Sequence, residues 1–265
     1  MTSTRPLTDA IGALTTYANS ITEASDTTLS EAVATLAEGY GKGGIGFDEI
    51  AGRSFGGEVN IPNCNFDIAT YAFSGSNITK VNITFTTSNK KINGQAFSSC
   101  SLLQDVFFNY CSLSGAYDFS SCGVKKLHIE GFSGGQYAFA SCSNLTTVVL
   151  TDCHSSNWST GTFRYCSNLS KADMGNVGKF GQQCFQGSKL DDLVLRRTDG
   201  ITALNNINAF AGMKQKNITV YVPQSLLTTY QNDSLWSTVS EATLTFTAIE
   251  GSQYENYYVD GTPIE

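Results

Sequence analysis

The chain contains little charge, few histidines and few prolines. Of its 265 residues, 15% are charged, four are proline and two are histidine. No stretch reaches the ~18 consecutive apolar residues that span a bilayer, so the sequence predicts no transmembrane helix. The formal net charge of −7 disfavours nucleic acid as a partner, because a phosphate backbone is bound through Lys and Arg. Sparse charge with abundant Ser, Thr and Asn favours a β-rich surface.

Motifs of the common enzyme classes are also missing. There is no HExxH, no GxSxG, no phosphate-binding loop and no GxGxxG before a helix. Metal sites need ligands clustered at short spacing, and the sequence contains no such cluster. Cys153 and His154 are adjacent, but neighbouring side chains on a strand point to opposite faces. We therefore expect no catalysis, no metal and no cofactor.

One phenylalanine recurs along the middle of the chain. Its seven copies are separated by 24, 22, 20, 24, 22 and 25 residues. Three positions later comes Cys100, Cys122, Cys142 or Cys166 in four of the copies, and a branched aliphatic residue follows shortly after. The seven copies are Phe73, Phe97, Phe119, Phe139, Phe163, Phe185 and Phe210.

Each copy continues into a short alternating segment. Three and five residues after the aliphatic residue come further apolar ones, as in Val106 and Phe108 or Val148 and Leu150. Such alternation predicts a short strand with two side chains on one face. One unit cannot bury its apolar side chains alone, so the units must stack into a continuous core. The period predicts a leucine-rich-repeat solenoid, mostly β or α/β, with seven coils of 20–25 residues and a short parallel sheet.

The eight cysteines lie mostly at fixed positions of the repeat. The opening residues, MTSTRPLTDAIGALTT, lack the apolar segment and cleavage site of a secretory signal. We therefore expect a reducing compartment, in which the cysteines are small buried side chains rather than disulfide partners. Thiols on adjacent coils would still approach disulfide distance, so a bonded ladder is the alternative.

Both ends of the array are predicted to be capped. Residues 47–70 contain strand-like pieces that predict an N-terminal cap, and residues 217–249 predict a C-terminal cap. In the second cap, Pro223 opens a helix and an alternating segment, ATLTFTAI, follows. Residues 250–265 are predicted to be a polar tail. The apolar lid of the C-terminal cap consists of Leu226, Leu227, Tyr230, Leu235 and Trp236.

Residues 1–40 have a different pattern. Two apolar stripes predict two helices, and the glycine-rich residues 41–46 predict a linker to the solenoid, which spans residues 47–249. Helices this small cannot form a core of their own, so they are predicted to attach the chain to a larger partner or to a second copy. Packing on the solenoid itself is the alternative. The predicted anchoring positions are Leu7, Ile11, Leu14, Leu29, Val33 and Leu36.

The open face of the parallel sheet is the best candidate for binding. The residue between each pair of inward side chains points outward, and exposed aromatic residues in one column indicate an interface. Charged residues beside this column are suited to bind a glycan or a protein. The alternative is that a neighbouring subunit or a loop covers this column. The candidate binding residues are Phe107, Lys126, His128, Asp173, Arg196 and Tyr221.

Two stretches of the chain resemble known families. The segments AFASCSNLTTVVL and FRYCSNLSKADM resemble the leucine-rich-repeat family of BspA type, found in bacterial surface proteins and in gut bacteriophage genomes. This resemblance covers roughly residues 71–249. Separately, LTDAIGALTTYANSITEASDTTLSEAVATLAEGYG is similar to the N-terminal helix pair of many phage virion proteins.

Together, the two resemblances imply a non-enzymatic bacteriophage structural protein, such as a head or tail fibre, a decoration protein or a host-contact protein. They imply that residues 1–40 bind other virion proteins, that the solenoid contacts a host glycan or protein, and that the chain forms a homo-oligomer. The expected location is the virion, assembled in the bacterial cytoplasm, and membrane insertion is not expected. The alternatives are a bacterial cell-surface adhesin of BspA type and a hydrolase built on the solenoid.

Overall fold

The computed structural model describes residues 56–255, except residues 66, 110, 131–134, 152–158, 214, 215 and 240. Over this part of the chain, each coil contributes one strand to a parallel sheet of nine strands. The described strands, in chain order, are β1 (Gly56–Cys64), β2 (Asn77–Phe85), β3 (Lys91–Ile92), β4 (Asp105–Asn109), β5 (Ser112–Leu113), β6 (Lys126–Glu130), β7 (Thr147–Thr151), β8 (Lys171–Asp173), β9 (Lys179–Phe180), β10 (Asp192–Val194), β11 (Ala203–Leu204), β12 (Asn217–Val222) and β13 (Thr243–Ala248).

The strands pair in the order that a solenoid requires. The large sheet runs β1-β2-β4-β6-β7-β8-β10-β12-β13, and the short strands pair as β3 with β5 and β9 with β11 on another side of the coils. Helices are few in the described residues: α1 (Leu227–Asn232) and three 3₁₀ turns, Ile207–Phe210, Gln224–Leu226 and Trp236–Thr238. The predicted leucine-rich-repeat solenoid with a parallel sheet is confirmed.

The seven repeated phenylalanines form one file through the core. Each ring is parallel to the next within 16°, and the ring centroids are 4.7–5.9 Å apart. All seven side chains are buried. Ring stacking adds to the stabilisation that comes from removing this apolar area from water. The file is therefore the structural axis of the stacked coils.

Cysteines of neighbouring coils form a second file. The Sγ of Cys142 lies 3.1 Å from the carbonyl oxygen of Phe119, one coil earlier, and Cys100, Cys122 and Cys166 make the same contact at 3.0–3.1 Å. A thiol suits this place because it is small and apolar and still donates a weak hydrogen bond. The seven described cysteines are buried thiols that form no disulfide, as predicted; Cys153 lies outside the described residues.

The turns around six of the seven phenylalanines have left-handed backbone at two fixed positions, two residues before the ring and two after it. The φ angle is +64° at Tyr117 and +56° at Ser121. Where Gly161 and Gly187 occupy these positions, the steric cost of a Cβ is avoided. This turn directs alternate backbone N–H groups to the next coil, and the amide of Phe97, for example, donates to a carbonyl oxygen 2.8 Å away.

An aromatic lid closes the C-terminal end of the core. Trp236 packs on Phe210 with ring centroids 6.0 Å apart, and its Nε1 donates to the Thr202 carbonyl oxygen at 2.7 Å. The Tyr230 hydroxyl accepts a hydrogen bond from the Thr202 amide at 2.7 Å. Tyr230 and Trp236 are buried, as predicted. Leu235 is exposed instead, because consecutive residues of a helical turn point in different directions and only Trp236 faces the core.

At the N-terminal end of the described solenoid, β1 pairs in parallel with β2. The region predicted as the N-terminal cap therefore supplies the first strand of the large sheet. Residues 1–55 lie outside the described residues. The predicted helix pair and the glycine-rich linker fall in this part of the chain.

Candidate binding surface

The large sheet presents a central row of side chains on its outer face. The strands are in register, so that Phe107 lies beside His128 and His128 lies beside Val149. This is the outward column that the repeat predicts. From β1 to β13, the central row consists of Asn60, Asn82, Phe107, His128, Val149, Asp173, Val194, Tyr221 and Thr247.

A second row, the charged row, lies two residues earlier on each strand. It faces the same side as the central row because side chains alternate along a strand. Lys126 of the predicted site belongs to it. The prediction omitted Lys80, Asp105 and Thr147, to which the same alternation points. The charged row consists of Glu58, Lys80, Asp105, Lys126, Thr147, Lys171, Asp192, Thr219 and Thr245.

The C-terminal half of the outer face is covered by residues 249–255, here named the strap. Ile249 and Tyr254 pack with Val149 and Val194, which are 2% and 1% exposed. The predicted polar tail therefore begins with a segment that buries apolar area. The expectation of an open column is corrected for this half of the sheet, where a covering segment of the chain itself occupies the face.

Polar contacts fasten the strap to the sheet. Arg196 donates from Nη2 to the Tyr254 carbonyl oxygen at 3.0 Å, and the Tyr254 hydroxyl donates to Asp192 at 2.5 Å. The rings of Tyr254 and Tyr221 meet edge-on with centroids 4.5 Å apart. Arg196 and Tyr221, both predicted as binding residues, are therefore half-buried contacts of the strap.

Asp173, also predicted as a binding residue, is almost fully buried. It is 2% exposed and pairs with Arg196, with Nη2 and Oδ2 2.7 Å apart. Its Oδ1 accepts a hydrogen bond from the Gly175 amide at 3.1 Å. Burial raises the pKa of Asp173, and the guanidinium of Arg196 opposes that rise. The expectation that Asp173 lies open to a ligand is corrected, because its carboxylate is engaged in an internal ion pair.

The N-terminal half of the outer face is a groove of about 770 Å³. Phe107 and His128 lie in it, half-buried, with ring centroids 5.6 Å apart in an edge-on contact. Gln253 and Tyr254 of the strap also line the groove. Its charged lining consists of Lys80, Asp105, Lys126 and Lys171. The structure thus brings together three of the six predicted binding residues, Phe107, Lys126 and His128.

Positive charge prevails in this groove, although the whole chain has a net charge of −7. Lys80 lies 3.9 Å from Glu58, and both side chains are well exposed. Lys126 and Lys171 form no ion pair with any residue that the structure describes. Burial lowers the pKa of His128 and so favours its neutral ring, and its buried Nε2 makes no hydrogen bond within the described residues.

Several predicted residues lie outside the described residues. They include Cys153, His154 and the six anchoring positions Leu7, Ile11, Leu14, Leu29, Val33 and Leu36. Within the described ranges, no three His, Cys, Asp or Glu side chains come together as metal ligands. In that part of the chain, helices are also too short and too polar to cross a membrane.

A parallel sheet with one strand per coil, a file of phenylalanines and an aromatic lid define a leucine-rich-repeat solenoid. The family model of the BspA type leucine rich repeat region matches residues 49–134 and 115–217, in six copies. The chain belongs to this BspA-type leucine-rich-repeat family.

The comparison with solved structures also found a similar protein. A leucine-rich repeat protein from Bacteroides ovatus ATCC 8483 is 17% identical to this chain, with a TM-score of 0.34. The similarity covers 74% of this chain and 64% of that protein, so the chain spans less than two thirds of that relative. No curated protein matches the chain.

Proposed function

We propose that this protein is a non-enzymatic adhesion module that binds a surface macromolecule through the groove on its outer sheet face. The observation that carries this proposal is the half-open central row. The strap covers Val149 and Val194, whereas Phe107 and His128 remain accessible in a groove of about 770 Å³. A half-exposed aromatic pair flanked by cations is typical of a recognition surface.

The chemistry of the groove supports binding rather than catalysis. A nucleophile or general base needs a partner side chain within hydrogen-bond reach. His128 forms no hydrogen bond with a described side chain, and Asp105 and the lysines lie on separate strands in a shallow surface. The BspA-type repeat also fits the adhesin alternative, since the family resemblance includes bacterial surface proteins.

Binding of the purified protein to immobilised mucin tests this proposal. Phe107→Ala is expected to weaken binding by about tenfold or more, because a central aromatic anchor carries much of the energy of such an interface. Leu102→Ala is the matched control, since Leu102 is exposed outside the groove. The proposal fails if a folded Phe107→Ala variant binds as well as the parent protein, or if Leu102→Ala weakens binding equally.

The role in a virion stays a prediction. It depends on residues 1–40, which lie outside the described residues, and the matching family and structure are not described as virion proteins. Deletion of residues 1–41 tests it, because the prediction requires that the truncated chain no longer enters particles. Localisation in the virion, the homo-oligomer and the contact with capsid or tail proteins depend on the same experiment.

A further inference from the structure

We infer that the ligand of this groove is a glycan in which acidic and neutral sugars alternate. The inference rests on the proposed function and names the class of ligand for that same groove. It starts from the order of side chains along five adjacent strands of the charged row. The side chains at this position follow one another in register, and every second strand carries an ammonium group. In order, they are Lys80, Asp105, Lys126, Thr147 and Lys171.

The distance between neighbouring strands matches the distance between neighbouring sugars in an extended chain. Neighbouring strands are ~4.8 Å apart, which is close to the advance of one sugar in an extended chain. Lys80, Lys126 and Lys171 therefore lie at intervals of about 9.6 Å, the length of a disaccharide. A chain lying across the strands places an acidic sugar at each lysine when every second sugar is acidic.

The strands between the lysine-bearing strands carry side chains that favour neutral sugars. Asp105 lies between Lys80 and Lys126, and its carboxylate repels an acid while it accepts hydrogen bonds from sugar hydroxyls. Thr147 lies between Lys126 and Lys171 and offers one hydroxyl. A polymer with an acid on every sugar would therefore place one carboxylate against Asp105. The charged row therefore favours a chain in which acidic and neutral sugars alternate over a chain in which every sugar is acidic.

The central row supplies the apolar and neutral contacts that a sugar ring uses. Phe107 lies on the same strand as Asp105, and His128 lies on the same strand as Lys126. The half-buried rings of the two central-row residues meet edge-on. The Nε2 of His128 is itself buried, so the accessible part of this ring offers an apolar contact rather than a hydrogen bond. Lys126 and Lys171 have no ion pair to break within the described residues.

An acidic peptide fits this surface less well. Peptides that bind sheets commonly add a strand to an exposed edge, where backbone hydrogen bonds are available. The five strands below the groove each pair with a strand on both sides, so the groove offers side chains alone. Recognition by this groove therefore depends on ligand groups that repeat at the spacing of the strands, which a sugar chain provides.

Calorimetry with defined probes tests the inference on the full chain. The probes are a hexasaccharide of alternating uronic acid and N-acetylhexosamine, its carboxyl-reduced form, hexagalacturonate and hexaglutamate. The alternating hexasaccharide is expected to bind at least about tenfold more tightly than the other three, and its affinity is expected to fall with added salt. Lys126→Gln/Lys171→Gln is expected to remove this preference, whereas Lys189→Gln/Lys216→Gln, exposed and outside the groove, keeps it.

Equal binding of the carboxyl-reduced form overturns the inference, and so does equal binding of hexagalacturonate or hexaglutamate. If Phe107→Ala weakens mucin binding but the alternating hexasaccharide binds no more tightly than the other three probes, the ligand class is wrong while the adhesive groove stands. If Phe107→Ala has no effect on mucin binding, the proposed function itself fails.

Discussion

The ring of Phe97 lies parallel to the ring of Phe119, with centroids 4.7 Å apart, although 22 residues separate them in the chain. The Cys122 thiol contacts the carbonyl oxygen of Phe97 at 3.0 Å. One coil is thus joined to the next by a ring stack and by a thiol contact. The same pair of contacts recurs along much of the array and accounts for the F-x-x-C pattern of the sequence.

Removal of one ring from the file should destabilise the whole solenoid. Phe119→Ala is expected to lower the free energy of unfolding by about 3–5 kcal/mol, because Phe119 is fully buried and stacks on both neighbours. Phe107→Ala is the matched control, since the same side chain is removed from the outer face. Urea denaturation followed by circular dichroism measures both. Equal losses in the two variants would contradict the role of the file.

Ser188 occupies the cysteine position of the coil that contains Phe185. It is fully buried, and its Oγ makes no hydrogen bond within the described residues. A cysteine here would reach further, because a C–S bond is longer than a C–O bond. Ser188→Cys is expected to stabilise the protein by about 1 kcal/mol, and Cys142→Ser to destabilise it by about 1–3 kcal/mol. Thermal unfolding under reducing conditions measures both changes. A loss of stability in Ser188→Cys would argue against the thiol contact.

Asp118 makes stability depend on pH. It is fully buried, neither carboxylate oxygen has a hydrogen-bond partner within the described residues, and burial raises its pKa from 3.8 to about 7. Because the folded state holds the proton more tightly than the unfolded state, this carboxyl reduces stability as pH rises from about 4 to 7, by up to about 4 kcal/mol. Below that window the penalty is absent, and above it the penalty is constant.

Asp118→Ala tests this effect, because Ala72, Ala96 and Ala138 occupy the same position in other coils. The variant is expected to be more stable than the parent at pH 8 and to lose most of the slope between pH 4 and 7. Urea denaturation at a series of pH values measures it. A slope that survives the substitution would assign the pH dependence to other groups.

Arg196 keeps the buried charge of Asp173 paired. Arg196→Gln is expected to cost about 3–5 kcal/mol near pH 8, because a buried carboxylate is left without its cation. The cost should shrink at lower pH, since the pKa of Asp173 is already raised by burial and loses the opposing guanidinium, so the carboxyl takes up a proton. Asp173→Asn/Arg196→Gln should recover much of the loss, and its failure to do so would indicate that Arg196 acts mainly through the strap.

The repeat made the register of the sheet predictable. Spacing from the aliphatic anchor placed Phe107, His128 and Asp173 in one outward row, because two inward residues with one between them define a strand. The buried position of Asp118 was also readable, from the alanines that occupy its column. The strap was not, because GSQYE has no periodicity and Tyr254 meets Arg196 and Asp192 across 58 and 62 residues. Only packing in three dimensions separates the covered half of the row from the open half.

Lysine footprinting of the protein bound to mucin tests the adhesive groove most directly. An amine-reactive reagent is applied with and without the ligand surface, and the modified lysines are identified by mass spectrometry. The account predicts that Lys80, Lys126 and Lys171 lose reactivity on binding, while Lys189 and Lys216 keep theirs. Protection of Lys189 or Lys216, with the three groove lysines unchanged, would contradict it.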